Sequence, residues 1–312
     1  MVIKAICHYM PWDLDLAILN VNTIKKSSYM LQDGDKLIVA LTLNLSSYIV
    51  DWYKSEISID LLKDKFQRLS HIIGNTSKIS YQLKVFLGDA LYGHLDSQRE
   101  SIKEDNVDGY IQYCPDIYFS ETLIPLYFQA AKMIKEKYFV VAAQTPKLWD
   151  NTWDVLLNSG YKDMNFKNMQ YQNINIYDIN NDISQNQNWG RLILLPTIKF
   201  AGWMDYYSKG FAEQLFPVPD DWHGYGSWDL YCIILGNDLI RKGFPLKQYV
   251  IENQIISQRY LFDGENVHNN TLTMPYRELI CRKNIPDQRE VFESTLQQKL
   301  NEWKAYAIKE GL

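Results

Sequence analysis

Short apolar runs alternate with amphipathic segments along the first half of this chain, and that alternation limits its fold more than any other feature. Residues 2–7 form an apolar run of strand length. Over 13–28, Leu14, Ala17, Ile18, Val21 and Ile24 recur at helical spacing. Over 36–45, Leu37, Val39, Leu41 and Leu43 fall on one face of a strand and Ile38 and Ala40 on the other. A helix over 59–73 buries Leu61, Leu62, Phe66, Leu69 and Ile73; strands follow over 82–87 and 109–113, with a short charged helix at 97–104 between them. A helix over 122–135 and a strand over 138–143 continue the series. Strands apolar on both faces and separated by helices imply an α/β fold: a mostly parallel, Rossmann-like central sheet flanked by helices.

The second half is less regular. Residues 151–191 are rich in Asn, Asp, Gln and Tyr and weakly periodic, which marks a long polar insertion. Beyond it the spacing predicts a strand at 197–203 and a helix at 206–215. A loop over 217–226 leads to a helix at 228–242 that stops at Gly243, a strand follows at 246–252, and a C-terminal helix spans 290–308. One domain over 1–275 with a helical extension over 276–312 fits this order.

Several function classes fall away. The formal net charge is −5 and the pI about 5.6, which disfavours a broad electrostatic grip on nucleic acid. Cys7, Cys114, Cys232 and Cys281 form no CxxC pair, so neither a zinc knuckle nor a disulfide framework is expected. The first residues hold too short an apolar run for a signal peptide, and no stretch approaches the roughly 18 apolar residues that cross a bilayer. A cytoplasmic location is expected. There is no G-x-G-x-x-G after the first strand, no P-loop, no G-x-S-x-G and no H-E-x-x-H. Any chemistry must come from acids and histidines at strand ends, where open α/β sheets bind ligands.

Four features, taken in order, resemble the GT-A fold of nucleotide-sugar-dependent glycosyltransferases. The first strand runs into a turn at His8–Tyr9–Met10–Pro11. A short helix carrying Arg99 precedes the strand that starts near Asp108. Cys114-Pro115-Asp116 follows that strand and looks like the family's D-x-D with Cys in the first acid's place. Trp222-His223-Gly224-Tyr225-Gly226-Ser227-Trp228-Asp229 resembles the loop-and-helix start W-x-G-x-G-x-E-D. The resemblance spans roughly residues 1–275 and implies transfer of a hexose from a UDP- or GDP-sugar to a glycan or other hydroxyl acceptor.

The same resemblance assigns roles. His8, Tyr9 and Pro11 lie where the family holds the nucleotide, and Asn44 stands in place of its base- or ribose-binding acid. Arg99 pairs a phosphate, or forms a surface pair with Asp96. A leaving diphosphate is stabilised by a divalent cation on hard oxygen ligands. Asp116 and a late histidine, His268, would hold Mn²⁺ or Mg²⁺, while the Cys114 thiol suits neither. The bland alternatives are a turn cap for Asp116 and a solvated loop for His268. Asp229 corresponds to the base that deprotonates the acceptor, or is an acid that favours a helix start. His223, Tyr225 and Trp228 offer an aromatic acceptor platform, or pack their own loop. Two other outcomes stay open: a degenerate module that binds nucleotide-sugar without transfer, and a transferase acting on modified bases in phage DNA. A nucleotidyltransferase is disfavoured because the first turn has no glycine.

Overall fold

The computed structural model describes residues 1–9, 11–45, 58–74, 76–87, 102, 106–115, 117–144, 191–196, 198, 204–215, 227–258 and 288–310. Among them, β1 (Val2–Tyr9) is the strand around which the sheet is ordered. β2 (Lys36–Asn44) lies on one side of it, followed outward by β3 (Ile79–Phe86), and both pairings are parallel. β4 (Gly109–Tyr113) lies on the other side, also parallel. The sheet continues through β8 (Met204–Ser208), β6 (Phe139–Gln144), β9 (Lys247–Ile255) and β7 (Leu192–Leu195), giving the order β3-β2-β1-β4-β8-β6-β9-β7.

The architecture is the expected α/β sheet flanked by helices, with a mixed rather than uniform strand direction. β1–β2, β1–β4, β2–β3 and β6–β9 are parallel; β4–β8, β6–β8 and β7–β9 are antiparallel. The antiparallel insertion falls where the sequence reading failed. Residues 204–208 form a strand and only Lys209–Leu215 (α4) is helical, whereas the spacing had suggested a helix from 206. Tyr206 and Tyr207 are aromatic residues that suit a strand with both faces covered. The strand expected at 197–203 and the helix expected at 97–104 lie almost entirely outside the described residues.

Alternation along each strand divides the core in two. Ile3, Ala5, Cys7 and Tyr9 of β1 join Leu37, Val39, Leu41 and Leu43 of β2 on one face. That face is covered by α1 (Leu14–Ser28), α2 (Ile59–Ile73) and α3 (Leu123–Met133) through residues such as Val21, Phe66 and Tyr127. Ile6, Ala40, Tyr110, Val140 and Tyr207 face the other way. They meet α4, α5 (Ser227–Arg241) and α6 (Gln288–Glu310) through Phe211, Leu235 and Leu300. Each fully buried Leu, Ile or Val contributes about 1.5–3 kcal/mol relative to its exposed state, so both faces are needed to hold the sheet.

Local signals place two ends. α5 stops as its sequence implies: Gly243 takes φ +90°, its N–H meets the Ile240 carbonyl at 2.9 Å, and the Phe244 N–H meets Leu239 at 2.9 Å. That is the paired bonding of a Schellman cap, with Phe244 and Leu239 in the same apolar cluster. α6 is anchored at Tyr306, whose ring lies 6.2 Å from Tyr138 and whose hydroxyl accepts from Lys137 Nζ at 2.8 Å.

At the start of β4 a side chain is excluded altogether. A Cβ built on Gly109 would lie 2.6 Å from Cε2 and Cζ of Tyr206, itself 1% exposed and unable to withdraw. Replacing Gly109 with Ala is expected to lower unfolding free energy by about 1–3 kcal/mol through overpacking. A urea midpoint unchanged from the wild type would contradict that packing.

Candidate functional site

The chain winds outward from β1 to β2 to β3, then returns to place β4 on β1's opposite side. The strand order therefore reverses between β1 and β4. In open α/β sheets the crevice beyond the carboxyl ends of the strands at such a reversal is where ligands bind. His8 and Tyr9 end the first of these strands and Cys114 follows the second, and all three are singled out in the sequence.

The two faces of the sheet differ at this edge. The α1–α3 face stays apolar to its end, finishing in Tyr9, Leu43, Tyr113 and Met204. The other face turns polar. Beyond Ile6 and Ala40 the alternation brings His8, Thr42 and Asn44, with His8 opposite Thr42. Gln112 pairs with Ile6 on one side and Asp205 on the other. Thr42, Asn44 and Asp205 are buried, while His8 and Gln112 are partly exposed. These polar side chains gather at the carboxyl edge of the sheet, where open α/β sheets bind ligands.

The sequence-singled residues sort accordingly. His8 and Asn44 belong to the polar band. Tyr9, by contrast, points into the core: it is 0% exposed and its hydroxyl lies 3.2 Å from that of Tyr113. It is also a strand residue, since β1 runs two residues further than its apolar run implied. Pro11 is buried in a 3-10 turn (Pro11–Asp13) that leads into α1. Cys114 is half-buried and packs against the apolar cluster. Trp228 and Asp229 are the second and third residues of α5. β9 starts opposite Phe139, four residues after Gly243, so α5 ends at the amino edge of the sheet. Its first turn then lies about 20 Å along the helix axis from that edge. Arg99, Asp116, His223, Tyr225 and His268 lie outside the described residues.

Thr42, Gln112 and Asp205 escaped the sequence reading. Thr42 and Gln112 were available from strand alternation, had it been carried to the strand ends. Asp205 was not, because the strand that carries it was displaced in that reading.

Beyond Cys114–Pro115 the chain is held on its far side. β5 (Ile117–Tyr118) pairs antiparallel with β10 (Ser257–Gln258), and Thr122 Oγ1 donates to Gln254 Oε1 at 3.1 Å. The Tyr113 ring meets Phe119 at 6.4 Å. An open cleft of about 400 Å³ lies at the opposite, amino edge of the sheet, lined among others by Asp108, Glu136, Lys137 and Tyr206. Asp108 and Glu136 there are engaged structurally. Asp108 Oδ2 accepts from Val2 N at 2.7 Å, and Glu136 accepts from Lys247 Nζ at 2.7 Å, which holds its carboxyl down to about 2. The strand reversal and the polar band, not this cleft, mark the candidate site. Among the described residues no group of three or more His, Cys, Asp or Glu side chains is placed to hold a metal ion, and no helix is long and apolar enough to cross a membrane.

No family model matches the chain, and no curated protein matches it. Solved structures match at low identity. S. aureus TarS 1–349 is 10% identical, over 92% of this chain and 72% of that one, with a TM-score of 0.43. Glucosyl-3-phosphoglycerate synthase from Mycobacterium tuberculosis, in complex with Mg²⁺ and uridine diphosphate, is 10% identical over 83% and 71%, with a TM-score of 0.40. UDP-glucose pyrophosphorylase from Acinetobacter baumannii is 12% identical over 83% and 86%, with a TM-score of 0.37. Likeness at this level does not decide the activity of this chain.

Tyr9, Tyr113 and Tyr127 are 0–2% exposed, and burial pushes each phenol well above its usual 10; for Tyr127 the Asp205 carboxylate adds to the effect. The raised folded value means their contribution is intact below about pH 10, the unfolded value, and is lost as pH rises above it. Stability should therefore fall above pH 10 by up to about 1.4 kcal/mol per pH unit for each of the three. Phenolate absorbance should show these rings ionising only together with unfolding. Ionisation of all tyrosines near pH 10 in the folded protein would refute their enclosure.

Proposed function

We propose that the protein is a glycosyltransferase of GT-A type that moves a hexose from a nucleoside-diphosphate sugar to an acceptor hydroxyl. The observation that carries this reading is the strand-order reversal between β1 and β4. It brings the ends of the two strands that bear the nucleotide-site and D-x-D-like resemblances side by side, beside a polar band on one sheet face.

In this reading His8, Pro11 and Asn44 serve the nucleotide, and Arg99 serves its phosphates. The buried Tyr9 side chain shapes the strand end rather than touching the ligand. Asp116 and His268 hold Mn²⁺ or Mg²⁺; their carboxylate and imidazole donors suit Mn²⁺ in particular. Such a cation, when bound, offsets the charge that develops on the departing diphosphate. Asp229 takes the acceptor proton at a helix start that favours its ionised form. His223, Tyr225 and Trp228 present the acceptor, which is a glycan or another hydroxyl compound.

Cys114 favours one second reading. A soft thiol packed against the core takes the place of a hard-oxygen ligand, as it would in a module that binds nucleotide-sugar without transfer.

Calorimetric titration of UDP and GDP, with and without Mn²⁺, tests the donor site. Metal-dependent micromolar binding is expected, and Asp116→Asn should remove the metal dependence while leaving the thermal transition unchanged. Asp229→Asn should lower turnover about 10²–10⁴-fold with little effect on donor affinity. Binding without any hydrolysis or transfer would favour the module, and no binding of either nucleotide would overturn both readings.

A further inference from the structure

α1 buries one amide among hydrocarbon. Asn20 is 0% exposed on a helix side whose other buried residues are Leu14, Ala17, Val21 and Ile24, with Ser27 and Ser28 in the last turn. Packing alone would favour Ala or Leu there, since Asn weakens helices and its amide loses water on burial. Its Nδ2 donates to the Pro115 carbonyl at 2.7 Å and reaches the Cys114 carbonyl at 3.4 Å. These carbonyls follow the last ladder residue of β4, and Pro115 brings no N–H of its own with which to close the turn. On the near side the turn is fixed where the Tyr113 hydroxyl meets that of Tyr9, and on the far side by the β5–β10 pair. The amide meets the turn's own backbone between those two anchors.

We infer that Asn20 is a positioning residue that fixes the Cys114–Pro115 turn. α1 starts directly after the strand end and 3-10 turn that hold His8 and Pro11. One helix thus links the two sides of the strand reversal, and the setting of the D-x-D-like turn depends on an amide 94 and 95 residues away in sequence. The consequence for donor binding rests on the glycosyltransferase reading; the hold on the turn does not.

The test uses the full chain and three proteins: wild type, Asn20→Ala and Val21→Ala. Val21→Ala removes methyl groups from the same buried helix face but keeps the amide. The first readout is the alkylation rate of Cys114, followed by peptide mapping so that the other cysteines do not interfere. Losing the amide should raise that rate about tenfold over both wild type and Val21→Ala, since it frees a local segment rather than the whole fold. The second is UDP titration with and without Mn²⁺. The metal-dependent part of the affinity should fall about 10–100-fold, as it does when an outer-shell partner of a metal site is removed, with metal-free binding nearly unchanged. If Asn20→Ala does not accumulate as folded protein, Asn20→Ser, which keeps a hydroxyl donor, takes its place, with a smaller shift in the same direction expected. A Cys114 rate equal to that of wild type, or raised equally by Val21→Ala, overturns the inference. If the wild type binds neither UDP nor GDP, the donor-site reading falls by itself. The Cys114 rates then uphold or overturn the hold on the turn.

Discussion

β1 has parallel partners on both sides, and the rest of the structure follows from that constraint. A strand hydrogen-bonded along both edges and covered on both faces buries nearly all of its side chains. Its interior is Ile3, Ala5, Ile6 and Cys7 together with Lys4, all close to fully buried. The chain enters the sheet at its middle and must add strands first on one side and then on the other. The strand order reverses between β1 and β4 as a result, and His8 and the Cys114–Pro115 turn stand on the two sides of that reversal at the carboxyl edge.

The two faces then divide the work. The face under α1, α2 and α3 is apolar from end to end and closes with tyrosines whose hydroxyls bond to one another or to backbone, as Tyr127 does to the Met204 carbonyl at 2.7 Å. The face under α4, α5 and α6 gives up apolar burial at the same height for His8, Thr42, Asn44, Gln112 and Asp205. On the proposed glycosyltransferase reading, that loss of hydrophobic stabilisation serves ligand binding at this edge.

The antiparallel strand β8 makes this asymmetry possible. It runs against both β4 and β6, so its first residues, not its last, lie at the carboxyl edge. Asp205 thereby reaches the site side of the sheet from a strand that a uniformly parallel arrangement would have pointed the other way. The opposite end of β8 lies at the amino edge, where Tyr206 fills the space that Gly109 leaves open.

The sequence by itself determined the fold class and most of the elements on the parallel half. β4 and α2 fall at their expected bounds, and Gly243 caps α5 as its position implied. These features are local: side-chain period, helix spacing and a single positive-φ residue can each be read within a dozen residues. The resemblance picked out His8 and Asn44, which share the polar band, and Tyr9, which does not, because a strand's alternation assigns neighbours to opposite faces. Only the tertiary structure decided the direction of β8, the place of Asp205 at the carboxyl edge, and the contact of Asn20 with Pro115. Each depends on which distant segments meet. The pairing of Asp205 with Gln112 and the reach of Asn20 across 95 residues leave no trace in local periodicity, because a buried polar group is explained by its partner and not by its neighbours in the chain.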